Sequence, residues 1–374
     1  MNILFAGDYC PYIKIGSSNK EEAINYDDIK SVIETVDFSL VNLECPVADS
    51  LCKGIDKIGP NLSCTANFIK EIKNMGFSGV TLANNHIYDY GNRGLELTLE
   101  SLEENGLCHV GADTDIKKAS SVLYKEIESK RIAFINCCER EFSIADDKRG
   151  GAMPLDIVKI YYLLEKTKRE SDHIVLIIHG GIEQYQNPSP RMVETYRMFV
   201  DFGANVIINH HQHCFCGYEI YKGCPIFYGL GNFYFKPIGK HVPQSWYSGY
   251  MVMLQIEDGI IDFKIVPYFQ NKTEGRISLL NKKEKLEFDK EIVHLNEIIS
   301  KEDDLHIAYD NLLKNSSYNI ISPFSNKYLQ ACVRRGFLPS FIPRKVLRNL
   351  YNKITCDSHR DRFLAFLESR ISDD

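Results

Sequence analysis

Three histidines within four positions, His210, His211 and His213, stand in the stretch INHHQHCFCGYE (208–219), with Cys214 and Cys216 just beyond. Imidazoles suit zinc, iron and related divalent ions, and thiolates suit zinc. Two arrangements use such a run: a zinc-finger-like knuckle, or one corner of a larger site. A structural knuckle wants C-x₂₋₄-C with a distant second pair, whereas C-F-C is too tight and falls in a predicted strand. The two cysteines are therefore expected in the core. Other residues with ligand chemistry follow apolar runs: Asp8, Glu44 in NLE, Asn84, Asn85 and His86 in LANNHIYDYG, His179 in IIHGGIE, and Asn232 in GLGNF. Carboxylates, carboxamides and imidazoles without soft ligands suit manganese, zinc, iron or magnesium. A dinuclear centre, with ions ~3.5–4 Å apart and a bridging carboxylate, clamps a phosphoryl group and activates water. The residues to build one are present, and no Ser-His-Asp or Cys-His nucleophile pattern competes with them.

The elements that must position these residues read as repeated β/α units over the first 235 or so positions. NILFAG (2–7), FSLVNLE (38–44), GFSGVTLAN (76–84), RIAFINCC (131–138), DHIVLIIHGG (172–181) and ANVIINHH (204–211) read as strands, and CPIFYGLGNFYF (224–235) as one more strand and a turn. DDIKSVIETV (27–36) and TANFIKEIKNM (65–75) have helical spacing, the second with Thr65 as a cap. In layered α/β folds, ligands bind beyond the carboxyl ends of the strands, which is where almost every polar cluster lies here. The stretch 248–280 has the texture of an antiparallel hairpin closing the sheet, with EDG as its turn. From about residue 283 the pattern is helical. The expected division is thus a main domain over 1–280 and a helical C-terminal appendage over 281–374.

GDY, NLECPV, LANNHIYDYG, HGGIE, NHHQH and IYKGCPIFYGLGNFYF resemble, in this order, the signature blocks of the CapA-type poly-γ-glutamate capsule biosynthesis proteins. These form a branch of the calcineurin-like metallophosphoesterase superfamily. The resemblance covers roughly residues 1–270. It implies an α/β fold, a four-layer α-β-β-α metallophosphoesterase-like sandwich, with two divalent ions (Mn, Zn, Fe or Mg). It also implies that Asp8 binds the first metal, that Glu44 bridges where the superfamily usually has Asp, and that Asn85 and His179 bind the second. His211 and His213 would give one ligand to each ion, and His86 would protonate the leaving oxygen. Two positions depart from the pattern. The superfamily's D-x-H block has Cys10 at its third position here, which leaves an under-ligated ion, a thiolate ligand or a single ion as alternatives. Asn209 and Gln212 replace the Gly and Pro of the usual GHHPH.

Around this set, Asp89 and Glu183 are spaced to orient imidazole N–H groups or else to solvate loops. Asn84 is expected beside the site rather than as a ligand. His210, adjacent to His211, should point away from it, to touch a ligand residue or the substrate rather than an ion. Cys10 is a ligand or packing, and Asn232 approaches the site or completes its turn.

Composition narrows the remaining classes. At 374 residues with 44% apolar and 25% charged residues, the chain can bury a sizeable core, and a net charge of −6 disfavours nucleic acid as a partner. Twelve scattered cysteines suit reduced thiols in a cytoplasmic protein better than a disulfide framework. No transmembrane or signal segment is read. The basic, apolar stretch 332–355 suits contact with an anionic membrane surface or polymer, or a solvated helix face docked on the main domain. The function expected is a metal-dependent hydrolase, a phosphoesterase above all, acting on a phosphoester or anionic polymer in the synthesis or processing of a surface polymer. Its rivals are amide hydrolysis or transfer on γ-glutamyl chains, a non-catalytic metal-binding assembly protein, and a purely structural zinc protein.

Overall fold

The computed structural model of the chain describes residues 1–15, 24–57, 59–237, 242–257, 259–270, 275–321 and 354. In chain order its first half holds β1 (Asn2–Cys10), α1 (Asp27–Ile33), β2 (Phe38–Leu43), α2 (Ala66–Asn74), β3 (Gly79–Thr81), α3 (Gly91–Glu104), β4 (Cys108–Val110), β5 (Ala112–Asp113), α4 (Ile116–Ala119), β6 (Leu123–Ile127) and β7 (Lys130–Cys138). There follow β8 (Gly151–Ala152), α5 (Ile157–Thr167), β9 (His173–His179), α6 (Pro190–Asp201), β10 (Val206–His210), β11 (Tyr218–Tyr221), β12 (Cys224–Phe227) and β13 (Asn232–Phe235). The described chain closes with β14 (Ser248–Glu257), β15 (Ile260–Gln270), β16 (Ile277–Leu279), α7 (Lys282–Ser300) and α8 (Glu302–Ile321).

Two sheets dominate. One runs β16-β15-β14-β1-β2-β3-β4, with β13 also paired to β1, and the other runs β11-β12-β10-β9-β7-β6. The strands of both centres are apolar on both faces, as β1 (burial throughout after Asn2) and β9 show, which is what a sheet covered on each side requires. One apolar cluster lies between the sheets, with Ile3 and Phe5 of β1 and Val252 of β14 meeting Phe134, Ile177 and Ile208. A second joins the outer face of the first sheet to α1, α2 and α3 through Ile29, Phe68, Ile72 and Leu95. A third joins the other sheet to α5 and α6 through Ile160, Leu164 and Phe199. These three layers of core make the four-layer α-β-β-α sandwich.

The hairpin β14–β15 forms as expected, in register from Ser248↔Phe269 to Glu257↔Ile260. The segment 224–235 differs from the single strand expected. It supplies β12 to the second sheet and β13 to the first, crossing between them at Gly229 and Gly231, the latter at φ 77°. A change of sheet within so few residues needs backbone that only glycine adopts without strain. Thr65 does stand at the N-cap of α2, though its side chain makes no capping bond.

The chain divides into two compact units, Met1–Tyr309 and Asp310–Asp374. The division falls later than the boundary at 280 read from the sequence, because α7 buries Phe288, Ile292, Leu295 and Ile299 in the cores of the first unit. Helix α7 begins on a capping box, with Asn281 accepting from Glu284 N and Glu284 bonding back to Asn281 N. The basic stretch 332–355 lies, Ile354 aside, outside the described residues. Among the described residues no helix is long and apolar enough to cross a membrane.

Candidate metal centre

Asp8 sits near the end of β1, where the ladders to both β2 and β13 shift register. Such irregularities re-aim a side chain at a strand end. The neighbouring Gly7 is required by contact: a Cβ there would meet Gly231 O at 1.9 Å. This close approach lets Asp8 N donate to Gly231 O at 3.1 Å and pairs Asp8 with Asn232. Glu44 follows β2, the Asn84–His86 loop follows β3, and His179 and His210 are paired termini of β9 and β10. His211 and His213 occupy the next turn at φ 99° and 55°, unusual values for side chains of this kind. Strained backbone of this sort clusters at functional sites.

Two sets of side chains converge, all of them buried: Asp8, Glu44 and His213, and Glu44, His179 and His211, with the ligand atoms of each set within 4.8 Å of one another. Glu44 belongs to both. Its Oε1 lies 3.5 Å from His179 Nε2 and 3.5 Å from His213 Nε2. His179 Nε2 is 3.1 Å from His211 Nδ1 and 3.1 Å from Asn85 Oδ1, so Asn85 joins the second set. Ligand atoms ~2.1 Å from one ion and ~90–120° apart stand ~3.0–3.6 Å from each other. These spacings fit that geometry.

The electrostatics fit it too. Glu44 is 0% exposed, and among the described residues neither carboxylate oxygen has a hydrogen-bond partner. A buried carboxylate without partners is costly unless a cation meets it. Burial pushes its carboxyl well above the usual range, against the pull of His213. Burial would raise Asp8 as well, but contacts with His210 and His213 hold it well below the carboxylate norm. Burial would lower His213, yet Glu44 and Asp8 bring it up to about 10. Burial, together with neighbouring imidazoles, takes His179 well below the ordinary histidine value and His211 down to about 4. Two carboxyl groups and three imidazoles around one shared oxygen donor form a set suited to divalent cations, whose binding displaces the proton that His213 otherwise keeps.

The surrounding residues hold this set in place. Asn232 Oδ1 meets His213 Nδ1 at 3.0 Å, which leaves Nε2 toward Glu44, and the rings of Phe235 and Trp246 pack on His213 at 4.8 and 4.9 Å. Asn42 Nδ2 donates to Asp8 Oδ1 at 2.8 Å and lies 3.3 Å from His179 Nδ1. His86 Nδ1 is 2.7 Å from Asp89 Oδ2, an oxygen that also accepts from Leu62 N. Lys57, its side chain 2% exposed, pairs with Asp89 and reaches His86 Nδ1 at 3.1 Å. Burial lowers the His86 imidazole although Asp89 raises it. Asn84 donates to Leu43 O and accepts from His86 N, so it shapes the loop and does not face the ligand sets.

Cys10 is in neither set; it is buried in the apolar cluster with Cys45 and Cys64. Cys214 and Cys216 are buried. His210 Nδ1 faces Asp8 Oδ1 at 3.4 Å without hydrogen-bond alignment. Glu183 is exposed, and its charge reaches Glu44, His211 and His213 through space, with no hydrogen bond to a site histidine among the described residues. The two departures at 209 and 212 compensate each other, since Asn209 Nδ2 donates to Gln212 Oε1 at 2.9 Å.

Asn42, Lys57 and Glu141 are absent from the sequence reading. Asn42 stands two positions before Glu44, the side-chain period of a strand, and that spacing was a usable signal. Glu141 follows the carboxyl end of β7, the same placement as the residues that were found. Lys57 lies in a loop, and nothing local marks it.

A family model described as bacterial capsule synthesis protein PGA_cap matches residues 2–237. Capsule biosynthesis protein CapA of Bacillus anthracis is 30% identical over 215 residues, 55% of this chain and 52% of that protein. PGA biosynthesis protein CapA of Bacillus subtilis (strain 168) is 29% identical over 238 residues, 62% of each chain. The match thus spans about half to three-fifths of these relatives' lengths. Among solved structures, a novel phosphatase from Mycoplasma pneumoniae aligns with TM-score 0.44 and 13% identity, covering 74% of this chain and 95% of its own.

Proposed function

The chain belongs to the bacterial capsule synthesis protein PGA_cap family, and we propose that it is a metal-dependent hydrolase, of phosphoesterase type, acting in the synthesis or processing of a capsular or surface polymer. One observation carries the metal reading: the fully buried Glu44, without a hydrogen-bond partner among the described residues, shared by two ligand sets at co-ligand spacing. Asp8, Glu44 and His213 would hold one divalent ion, and Glu44, Asn85, His179 and His211 the other. Such ions, when bound, polarise a phosphoryl oxygen and lower the pKa of water to ~7. The chain's own contribution is placement. Asn232 and Asn42 fix the orientations of His213 and Asp8. The Asp89 carboxylate at Nδ1 favours the imidazolium of His86, the form whose Nε2–H would give a proton to the departing oxygen. The polymer context comes from the family and from the names of the relatives.

A non-catalytic assembly role is the second reading, favoured by the absence of Cys10 from the ligand sets, which leaves the Asp8 set one residue smaller than the other. Elemental analysis of the purified protein and hydrolysis of aryl phosphodiesters and monoesters with Mn²⁺ or Zn²⁺ separate the two. About two ions per chain, with hydrolysis lost in His86→Ala, is the expected result. Bound metal without hydrolysis under any ion would favour assembly, and no bound metal would overturn the centre itself.

A further inference from the structure

Asn85 can serve an ion only through Oδ1, and an amide turned over would present its NH₂ group instead. Its orientation is therefore something the fold must decide. Asn85 Nδ2 donates to Glu141 Oε2 at 3.4 Å, while Oδ1 faces His179 Nε2 at 3.1 Å. The other Glu141 oxygen lies 3.8 Å from His211 Nε2. With the amide reversed, Oδ1 would oppose a carboxylate and the NH₂ would enter the ligand set, so both contacts favour the same orientation. Among the described residues no other acceptor meets Asn85 Nδ2.

The segment that carries Glu141 is itself tied to the loops bearing the second ligand set. Ser143 Oγ donates to Asn85 O at 2.7 Å and accepts from Tyr88 N at 3.1 Å. Glu139 N donates to His179 O at 3.0 Å, and Glu139 Oε2 accepts from Gly181 N at 3.1 Å. Residues 139–143 thus hold the Asn85 loop by main chain and side chain, and the His179 loop beside it. We infer that Glu141 is a positioning residue for the Glu44–Asn85–His179–His211 site, acting by fixing the Asn85 amide so that its oxygen faces the ion. The inference rests on the metal-centre reading above and assigns a role to a residue outside both ligand sets.

The test is calorimetric titration of metal-free protein with Mn²⁺, in the parent chain and in Glu141→Gln, Glu141→Ala, Asn85→Ala and the Glu141→Ala/Asn85→Ala double variant. Outer residues that orient ligands are worth ~10–100-fold in metal affinity. Glu141→Ala should therefore weaken one of two Mn²⁺ sites by ~10–100-fold and leave the other unchanged. Glu141→Gln, whose carbonyl oxygen accepts the same bond, should stay within about threefold of the parent by the same reasoning. The double variant should bind no more weakly than Asn85→Ala, because Glu141 acts through that amide. The side chain of Glu141 is 37% exposed, so its truncation leaves the core packed. Two parent-like sites in Glu141→Ala would overturn the inference. So would Glu141→Gln as weak as Glu141→Ala, or additive losses in the double variant. A parent chain that binds no Mn²⁺ would overturn the metal centre, and this inference with it.

Discussion

Replacing Glu44 with Gln separates a shared metal ligand from an ordinary buried acid, because the two predict opposite patterns of stability. In the metal-free protein burial pushes the Glu44 carboxyl well above its usual range, neither oxygen has a hydrogen-bond partner to lose among the described residues, and Asp8 remains beside His213 to hold that imidazole. Gln has nearly the shape of the neutral acid, so the metal-free variant should match the parent within about 1 kcal/mol or exceed it, whereas breaking a satisfied buried polar contact would cost ~1–3 kcal/mol. With metal the order reverses. An ion at 100 times its dissociation constant stabilises the folded state by about 2.7 kcal/mol per site. At roughly 2–4 °C per kcal/mol, one site raises the melting temperature by about 5–10 °C. Glu44 belongs to both sets, so the variant should lose this rise for both ions. Thermal unfolding of parent and Glu44→Gln, each with a chelator and with Mn²⁺, reads both effects at once. A variant that melts far below the metal-free parent yet keeps the full Mn²⁺ shift would refute the reasoning and make Glu44 a structural acid.

Gly7→Ala should destabilise by ~1–3 kcal/mol or more, since its Cβ meets Gly231 O at 1.9 Å and neither side is a flexible side chain; urea midpoints measure this, and a neutral substitution would show that β1 can shift freely. Lys57→Met leaves the buried Asp89 without its cation, a loss of ~3–5 kcal/mol, of which most should return when Asp89→Asn is added. Chemical denaturation of the single and double variants gives both numbers, and a parent-like single variant would disprove the pairing. The Asn209–Gln212 bond should appear as a coupling of ~0.5–1.5 kcal/mol in a double-mutant cycle to Ala. Strict additivity would mean that the two departures from the family pattern are independent.

The sequence made the layered fold legible because its strands are short apolar runs ending in polar residues, and because helical spacing fills the gaps between them. The same rule placed Asp8, Glu44, Asn85, His179, His211 and His213 among the polar strand ends, the family resemblance proposed them as ligands, and the strands β1, β2, β3, β9 and β10 that precede them bring them together. What stayed hidden has physical causes. The passage of 224–235 from one sheet to the other depends on long-range pairing with β1 and β10, which leaves no local signature beyond its glycines. The α7 helix looked like an appendage because most of its surface is polar, and only Phe288, Ile292, Leu295 and Ile299 show that it is docked. Lys57 was invisible for the opposite reason, since a loop lysine ordinarily faces solvent and only the buried Asp89 draws it in.

The charge balance of the centre connects its architecture to the chemistry proposed for it. Asp89 and Lys57 neutralise each other beside His86, so the charges left among the ligands are the carboxylates of Asp8 and Glu44. A single divalent ion would match these two and leave the site formally neutral. A second would give it a surplus of two positive charges in surroundings from which water is largely excluded, where such charge acts strongly. That surplus suits a phosphoryl group or another polyanionic centre, and it makes anion affinity depend on both ions. The exposed acids Glu141 and Glu183 oppose it from the rim, so the ions, and not the protein surface, must supply the attraction. Phosphate should accordingly bind the fully loaded protein and fail to bind the metal-free form at the same concentration, a contrast that equilibrium dialysis with inorganic phosphate measures directly. Equal binding in the two states would show that the anion is held elsewhere.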